Sequence, residues 1–74
     1  MFRLDVPKLL EAAALKGDTR NAEIARRTGI AESSVSRIVR GEAQPDLNSA
    51  MRLALQYDLD LRGVIKRVPI EAAA

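Results

Sequence analysis

The sequence contains no cysteine and no histidine, and its only aromatic residues are Phe2 and Tyr57. It therefore has no thiol nucleophile, no imidazole base, no usual zinc ligand and no disulfide framework. The lack of cysteine fits the reducing cytoplasm, although a secreted protein without disulfides would lack it too. No apolar run approaches the ~20 residues of a membrane span, and the N-terminus lacks the layout of a secretion signal. These absences predict a cytoplasmic protein without membrane contact.

An enzyme is also disfavoured by what is missing. The acidic residues are scattered and no serine has a partner that could act as its general base, so neither a carboxylate pair nor a nucleophilic site is visible. The sequence predicts no metal and no cofactor, and it shows no second domain that would sense a small molecule.

The chain is short, with 74 residues, and residues 1–74 are interpreted as a single domain. A core of this size rarely supplies more than ~3–5 kcal/mol of stability, and disulfides are excluded. Well-packed helices or a partner subunit must supply the rest. Twelve Lys and Arg against ten Asp and Glu give a net charge of +2, which by itself is a weak indication of a polyanionic partner.

Glycine, proline and aspartate divide the sequence into helical segments. The predicted fold class is all-α, a compact bundle of four to five helices with its core over residues 5–66 and a tail over residues 67–74. Residues 2–6 alternate apolar and polar like a strand, but over too few residues to establish one. The expected helices run from Asp5 or Val6 to Gly17, from about Arg20 to Thr28, from Glu32 to about Arg40, from Asp46 onward, and from Asp60 through Leu61, Val64 and Ile65.

Helical spacing also predicts which side chains form the core. The fourth helix is expected to bury the stripe Leu47, Ala50, Met51, Ala54 and Leu55. Tyr57 is expected in the core with its hydroxyl at the surface. The residues assigned to the core and to no other role are Leu9, Ile24, Ile30, Val35, Ile38, Met51 and either Leu53 or Leu55.

Residues 21–41 hold the pattern that points to a function, NAEIARRTGIAESSVSRIVRG. Ala25, Gly29, Val35 and Ile38 stand at offsets 0, 4, 10 and 13, the spacing that two helices joined by a three-residue turn require. Ala25 must be small because the second helix crosses over it, and Gly29 must tolerate a positive φ. The segment therefore predicts a helix-turn-helix at about residues 20–40.

Residues 19–65 resemble the helix-turn-helix domain of the phage-repressor family, the Cro and lambda/434 repressor relatives of phages, plasmids and bacterial chromosomes. The matching stretches are AEIARRTGI, SSVSRIVRGE and PDLNSAMRLALQYDLD. The resemblance implies a lambda-repressor-like domain whose second motif helix lies in the major groove of double-stranded DNA. It further implies a transcriptional regulator, a repressor that binds an inverted-repeat operator as a homodimer.

The resemblance assigns roles position by position. Arg27 matches no base-reading position of the family and joins the phosphate candidates for its charge. The base-reading candidates are Glu32, Ser33, Ser36 and Arg37, and the phosphate candidates are Asn21, Arg27, Ser34 and Arg40.

Each assignment has a structural alternative. Residues 20–40 contain five Arg and two Glu, a local net charge of 5 − 2 = +3 against +2 for the whole chain. This asymmetry favours a phosphate-facing surface over arginines that merely solvate a helix. Glu32 could accept a hydrogen bond from cytosine, but the helix macrodipole alone would explain an acidic residue in a first turn.

Three positions depart from the family pattern. Ala31 stands at the N-cap of the recognition helix and has no oxygen with which to cap it. Arg20 replaces a common Thr. Asp58 replaces a common Gly and is expected in the left-handed region, which Asp tolerates.

Assembly is predicted from the apolar C-terminal positions. Leu61, Val64, Val68 and Ile70 are expected to form the homodimer contact, with residues 2–4 pairing alongside as a short strand. The alternative is that Leu61 and Ile65 close the core of the monomer. A different class of function, an antitoxin-like or protein-interaction module, would use the same helices mainly to bind a partner protein.

Overall fold

The computed structural model describes residues 1–69. Within them the chain is mostly helical, as predicted, and a two-stranded sheet is a minor addition. The elements are β1 (Phe2–Leu4), α1 (Val6–Leu15), α2 (Asn21–Thr28), α3 (Glu32–Val39), α4 (Leu47–Gln56), α5 (Leu61–Val64) and β2 (Ile65–Arg67). Helix α2 packs on α3 and α4, while α5 contacts both α1 and α4.

Aspartate begins three of these helices, as the sequence predicts. The carboxylate of Asp46 accepts a 2.7 Å hydrogen bond from the Ser49 amide, and Asp5 and Asp60 cap α1 and α5 in the same way. Helix α2 begins differently, because Arg20 at its N-cap has no acceptor. There the Glu23 carboxylate reaches back to the Arg20 amide at 2.9 Å, and also to the amide before it, so these bonds lower the Glu23 pKa.

The two ends of the described chain pair with each other. Strands β1 and β2 are antiparallel, with Arg3 opposite Lys66 and Leu4 opposite Ile65. The expectation that the fifth helix continues through Ile65 is wrong, because the helix ends at Val64 and Ile65 begins β2. The predicted strand at residues 2–4 is present, but its partner is β2 of the same chain.

The core lies between the helices and under the sheet. Helix α4 is rotated relative to the prediction: Leu47, Met51 and Leu55 are 77%, 39% and 70% exposed. Apolar residues surround much of α4, so its periodicity alone leaves the buried face ambiguous. The buried hydrophobic residues are Leu4, Leu9, Ala13, Ile24, Ile30, Val35, Ile38, Leu53, Ala54, Tyr57 and Val64.

A partly buried polar network joins α2 and the loop before it to the end of α4. The Tyr57 hydroxyl donates a 2.8 Å hydrogen bond to Asp18 Oδ2, and Arg27 pairs with the same carboxylate. The Arg27 guanidinium lies 6.0 Å from the centre of the Tyr57 ring. Burial raises the pKa of Tyr57, so its hydroxyl stays protonated and donates. The prediction that this hydroxyl reaches the surface is therefore wrong.

The turn between α2 and α3 depends on Gly29, which has a φ of +78° as expected. The Gly29 amide donates to the Ala25 carbonyl at 2.8 Å. A Cβ at Gly29 would stand 2.8 Å from Arg52 Nη1, the atom that donates to the Thr28 carbonyl. Arg52 of α4 therefore crowds this position, a neighbour that the sequence spacing does not reveal.

Gly29→Val is expected to destabilise the fold more than the matched control Gly17→Val. Both glycines have positive φ, which costs a β-branched residue about 1–3 kcal/mol, but nothing lies within 4 Å of a Cβ at Gly17. We expect Gly29→Val to melt about 5 °C below the control, because Arg52 must release its hydrogen bond. Equal melting temperatures would show that Arg52 moves away at no cost.

Candidate nucleic-acid interface

Helix α3 has one apolar face and one polar face. Val35 and Ile38 are buried, at 2% and 5% exposure, and anchor the helix on α2. The outward face carries the predicted base-reading residues, of which Ser36 is half-buried and the others exposed. They are Glu32, Ser33, Ser36 and Arg37.

The predicted phosphate residues surround this face unevenly. Ser34 is exposed beside the base-reading residues, and Asn21 is half-buried at the first turn of α2. Arg40 ends α3 and pairs with Glu42 at 2.9 Å, with both side chains more than half exposed. Such an exposed pair contributes little stability, so a phosphate can compete for Arg40.

Arg27 does not belong with the other predicted phosphate-binding residues. Its guanidinium pairs with Asp18, donates to the Lys16 carbonyl at 3.3 Å and lies over Tyr57. The Arg27 hydrogen bond is the main cause that lowers the pKa of Asp18, followed by the bond from Tyr57. Arg27 therefore holds α2 against α4 and is not free to bind a phosphate.

The start of α3 is positioned by the turn before it. The Thr28 hydroxyl donates to the Ile24 carbonyl at 2.7 Å and accepts from the Ile30 amide at 3.3 Å. Ala31 is the N-cap and makes no side-chain hydrogen bond, as expected. The orientation of α3 therefore comes from the turn and from Val35 and Ile38 rather than from a cap.

The end of α3 is held by residues that sequence reasoning missed. Arg3 Nη2 donates to the Gly41 carbonyl at 3.1 Å, and Gln44 Oε1 accepts from the Leu4 amide at 2.8 Å. Strand β1 thereby fixes the loop between α3 and α4. A groove of about 170 Å³ separates this loop from α3, with Ser34 and Arg37 on its helix side. No local sequence signal marks Gln44, because its partner is 40 positions away.

The predicted dimer residues also require a correction. Val64 is 3% exposed and belongs to the core of its own chain, so it offers no surface to a second copy. Leu61 and Ile65 are partly buried against that core, and Val68 is half-buried. Ile70 lies outside the described residues.

An apolar hollow of about 360 Å³ is nevertheless present at this end, lined by Phe2, Leu61, Arg62 and Ile65. Phe2 is 67% exposed there.

Residues 1–69 bring together no group of three or more side chains of the kinds that hold a metal ion. In the same part of the chain, none of the helices has the length and apolar character needed to cross a membrane.

The sequence profile of the family described as helix-turn-helix matches residues 9–64. The match runs from α1 to the last residue of α5 and leaves both strands outside. No curated protein and no solved structure gave a significant match.

Proposed function

Because the chain belongs to the Cro/C1-type helix-turn-helix family of DNA-binding regulators, we propose that it is a transcriptional repressor that binds a specific double-stranded DNA sequence. It acts in the cytoplasm of a bacterium, on chromosomal, phage or plasmid DNA. Helix α3 enters the major groove and reads base edges there.

The observation that supports this proposal is the polar face of α3. Arg37 is exposed in the last turn of the helix, and it forms none of the ion pairs found among residues 1–69. The neighbouring Ser33 and Ser34 are short and exposed, so the backbone of α3 can approach the bases closely. Arg40 lies nearly one turn beyond Arg37, where its guanidinium suits the phosphate backbone.

We also propose that the repressor is a homodimer. One recognition helix covers about half a turn of duplex, which gives too little selectivity against a genome of competing sites. Two copies related by a two-fold axis would place their helices in successive major grooves, ~34 Å or ~10 base pairs apart. The apolar hollow at Phe2, Leu61 and Ile65 supports a contact at the strand end of the molecule.

Selection of bound sites from random duplex DNA tests the function. We expect one enriched sequence with inverted symmetry and half-sites about 10 base pairs apart. Enrichment of a single half-site would contradict the dimer, and no enrichment would contradict sequence-specific binding.

Sedimentation at micromolar concentration locates the contact. We expect a wild-type dimer that Phe2→Asp plus Val68→Asp dissociates. The matched pair Leu47→Asp plus Leu55→Asp, on the exposed face of α4, should leave it intact. If the α4 pair dissociated the dimer and the Phe2/Val68 pair did not, the contact would lie on α4. A wild-type protein that is monomeric both on DNA and in solution would contradict the homodimer.

A further inference from the structure

Two cations face each other on the strands, outside the part of the chain that matches the family. Arg3 on β1 stands directly opposite Lys66 on β2. Leu4 is 5% exposed and points into the core, so the alternation of a strand puts Arg3 and Lys66 on the other face. Like charges directly opposite each other destabilise a sheet. Neither cation takes part in the ion pairs found among residues 1–69.

This face adjoins the recognition helix. Arg3 Nη2 lies 3.1 Å from the Gly41 carbonyl, and Gly41 follows Arg40, the C-cap of α3. The adjoining loop carries two acidic residues: Glu42, which Arg40 holds at 2.9 Å, and Asp46, whose carboxylate caps α4. The Arg3–Gly41 bond explains Arg3 as a partner for the end of a helix. It does not explain Lys66, which is exposed and opposes that arginine.

We propose that the face formed by Arg3 and Lys66 binds the DNA phosphates that flank the bases read by α3. This inference rests on the proposed function, because it assumes that α3 lies in the groove. Duplex DNA carries one negative charge per about 1.7 Å of its axis, so phosphates are present wherever this face meets the backbone. A phosphate between the two cations replaces their repulsion with two attractions. The strands thereby extend the contact with DNA beyond the helical domain.

The test compares wild type with Lys66→Ala on the selected duplex, over a range of salt concentrations. Removing one cation that binds a phosphate reduces the slope of log affinity against log salt by about 0.9, which is roughly five- to ten-fold in affinity at 0.1 M salt. We expect this reduction for all sequences equally, with base preference unchanged, and we expect Lys66→Arg to restore both values. The melting temperature should not fall, because the substitution removes a repulsion.

Lys16→Ala is the matched control. Lys16 has the same charge but pairs with Asp58 at 3.0 Å, so its removal should leave the salt dependence nearly unchanged. Ethylation interference identifies which DNA phosphates are contacted. Lys66→Ala should abolish interference at phosphates outside the base pairs that α3 reads.

The outcomes separate the two proposals. If wild type selects a sequence and Lys66→Ala keeps the full salt slope, this inference is overturned and the function stands. If wild type binds DNA without sequence preference while Lys66→Ala lowers the slope, specific recognition is overturned and the cationic face stands. A wild-type protein that binds no duplex DNA would overturn both.

Discussion

Arg37→Ala is expected to weaken binding to the selected sequence by ~1–3 kcal/mol, about five- to 150-fold in affinity, and to relax preference at one base pair. Arg37 is exposed in the last turn of α3, one turn beyond Ser33, without an acidic partner among the described ion pairs. A free guanidinium in the major groove pairs best with guanine, whose O6 and N7 accept its two parallel donors. Repeating the site selection with the variant measures the change.

Arg40→Ala is the control for this prediction. It removes the same charge from the end of the same helix, where we place a phosphate contact. The variant should weaken binding to all sequences and flatten the salt dependence by about one unit of slope. If Arg37→Ala kept the wild-type sequence preference, Arg37 would leave the set of base-reading residues.

Asp18→Ala is expected to lower the melting temperature by about 5 °C or more. The substitution leaves the buried Tyr57 hydroxyl without its acceptor and the Arg27 guanidinium without its carboxylate. Since these contacts hold α2 against α4, the orientation of the helix-turn-helix should also suffer. Lys16→Ala, which breaks the exposed pair with Asp58, is the matched control and should melt within about 2 °C of wild type. Similar small shifts for both variants would show that the Asp18 network contributes little.

The same network predicts a dependence on pH. Hydrogen bonds from Arg27 and Tyr57 hold the pKa of Asp18 below its ordinary value of 3.8. The folded state therefore gains stability from ionised Asp18 above that value, and it loses this contribution as the pH falls through the lowered pKa. Asp18→Asn should make the free energy of unfolding depend less steeply on pH below about pH 4. Some dependence should remain, because the pKa values of Glu23 and Asp46 are also lowered. Identical acid-unfolding profiles for wild type and variant would contradict this assignment.

The parts of the fold that sequence predicts are those that local chemistry decides. Asp46 caps α4 because its carboxylate reaches an amide three residues away, and Gly29 occupies a positive φ because the helix spacing demands a tight turn. Asp58 adopts a φ of +53°, as its place in the family pattern implies. The inward positions of Val35 and Ile38 follow from the same spacing.

The parts of the fold that the sequence does not predict depend on contacts between segments that are distant along the chain. The buried face of α4 is the one that also brings Tyr57 to Asp18, which is 39 positions away, and no periodicity within α4 contains that information. Arg27 looks like a surface cation until Asp18 is placed beside it. Likewise, Arg3 can donate to the carbonyl that follows α3 only because the pairing of β1 with β2 places β1 beside the end of that helix. The polar face of the candidate interface is therefore predictable from the sequence, whereas the long-range contacts that position this face are not.

The pairing of β1 with β2 has a consequence for how the chain folds. Met1 and Val68, which hydrogen-bond to each other, are 67 positions apart, whereas α2 and α3 are separated by a three-residue turn. Closing so long a loop costs conformational entropy before any strand contact forms, so the helical hairpin should assemble early and the strands late. In the native state the order reverses: the strands open first, with the smallest free-energy cost, and their amide hydrogens exchange with solvent ahead of those in α2 and α3. The recognition helix can thus remain folded while the strand pair that contacts its C-terminal end is open.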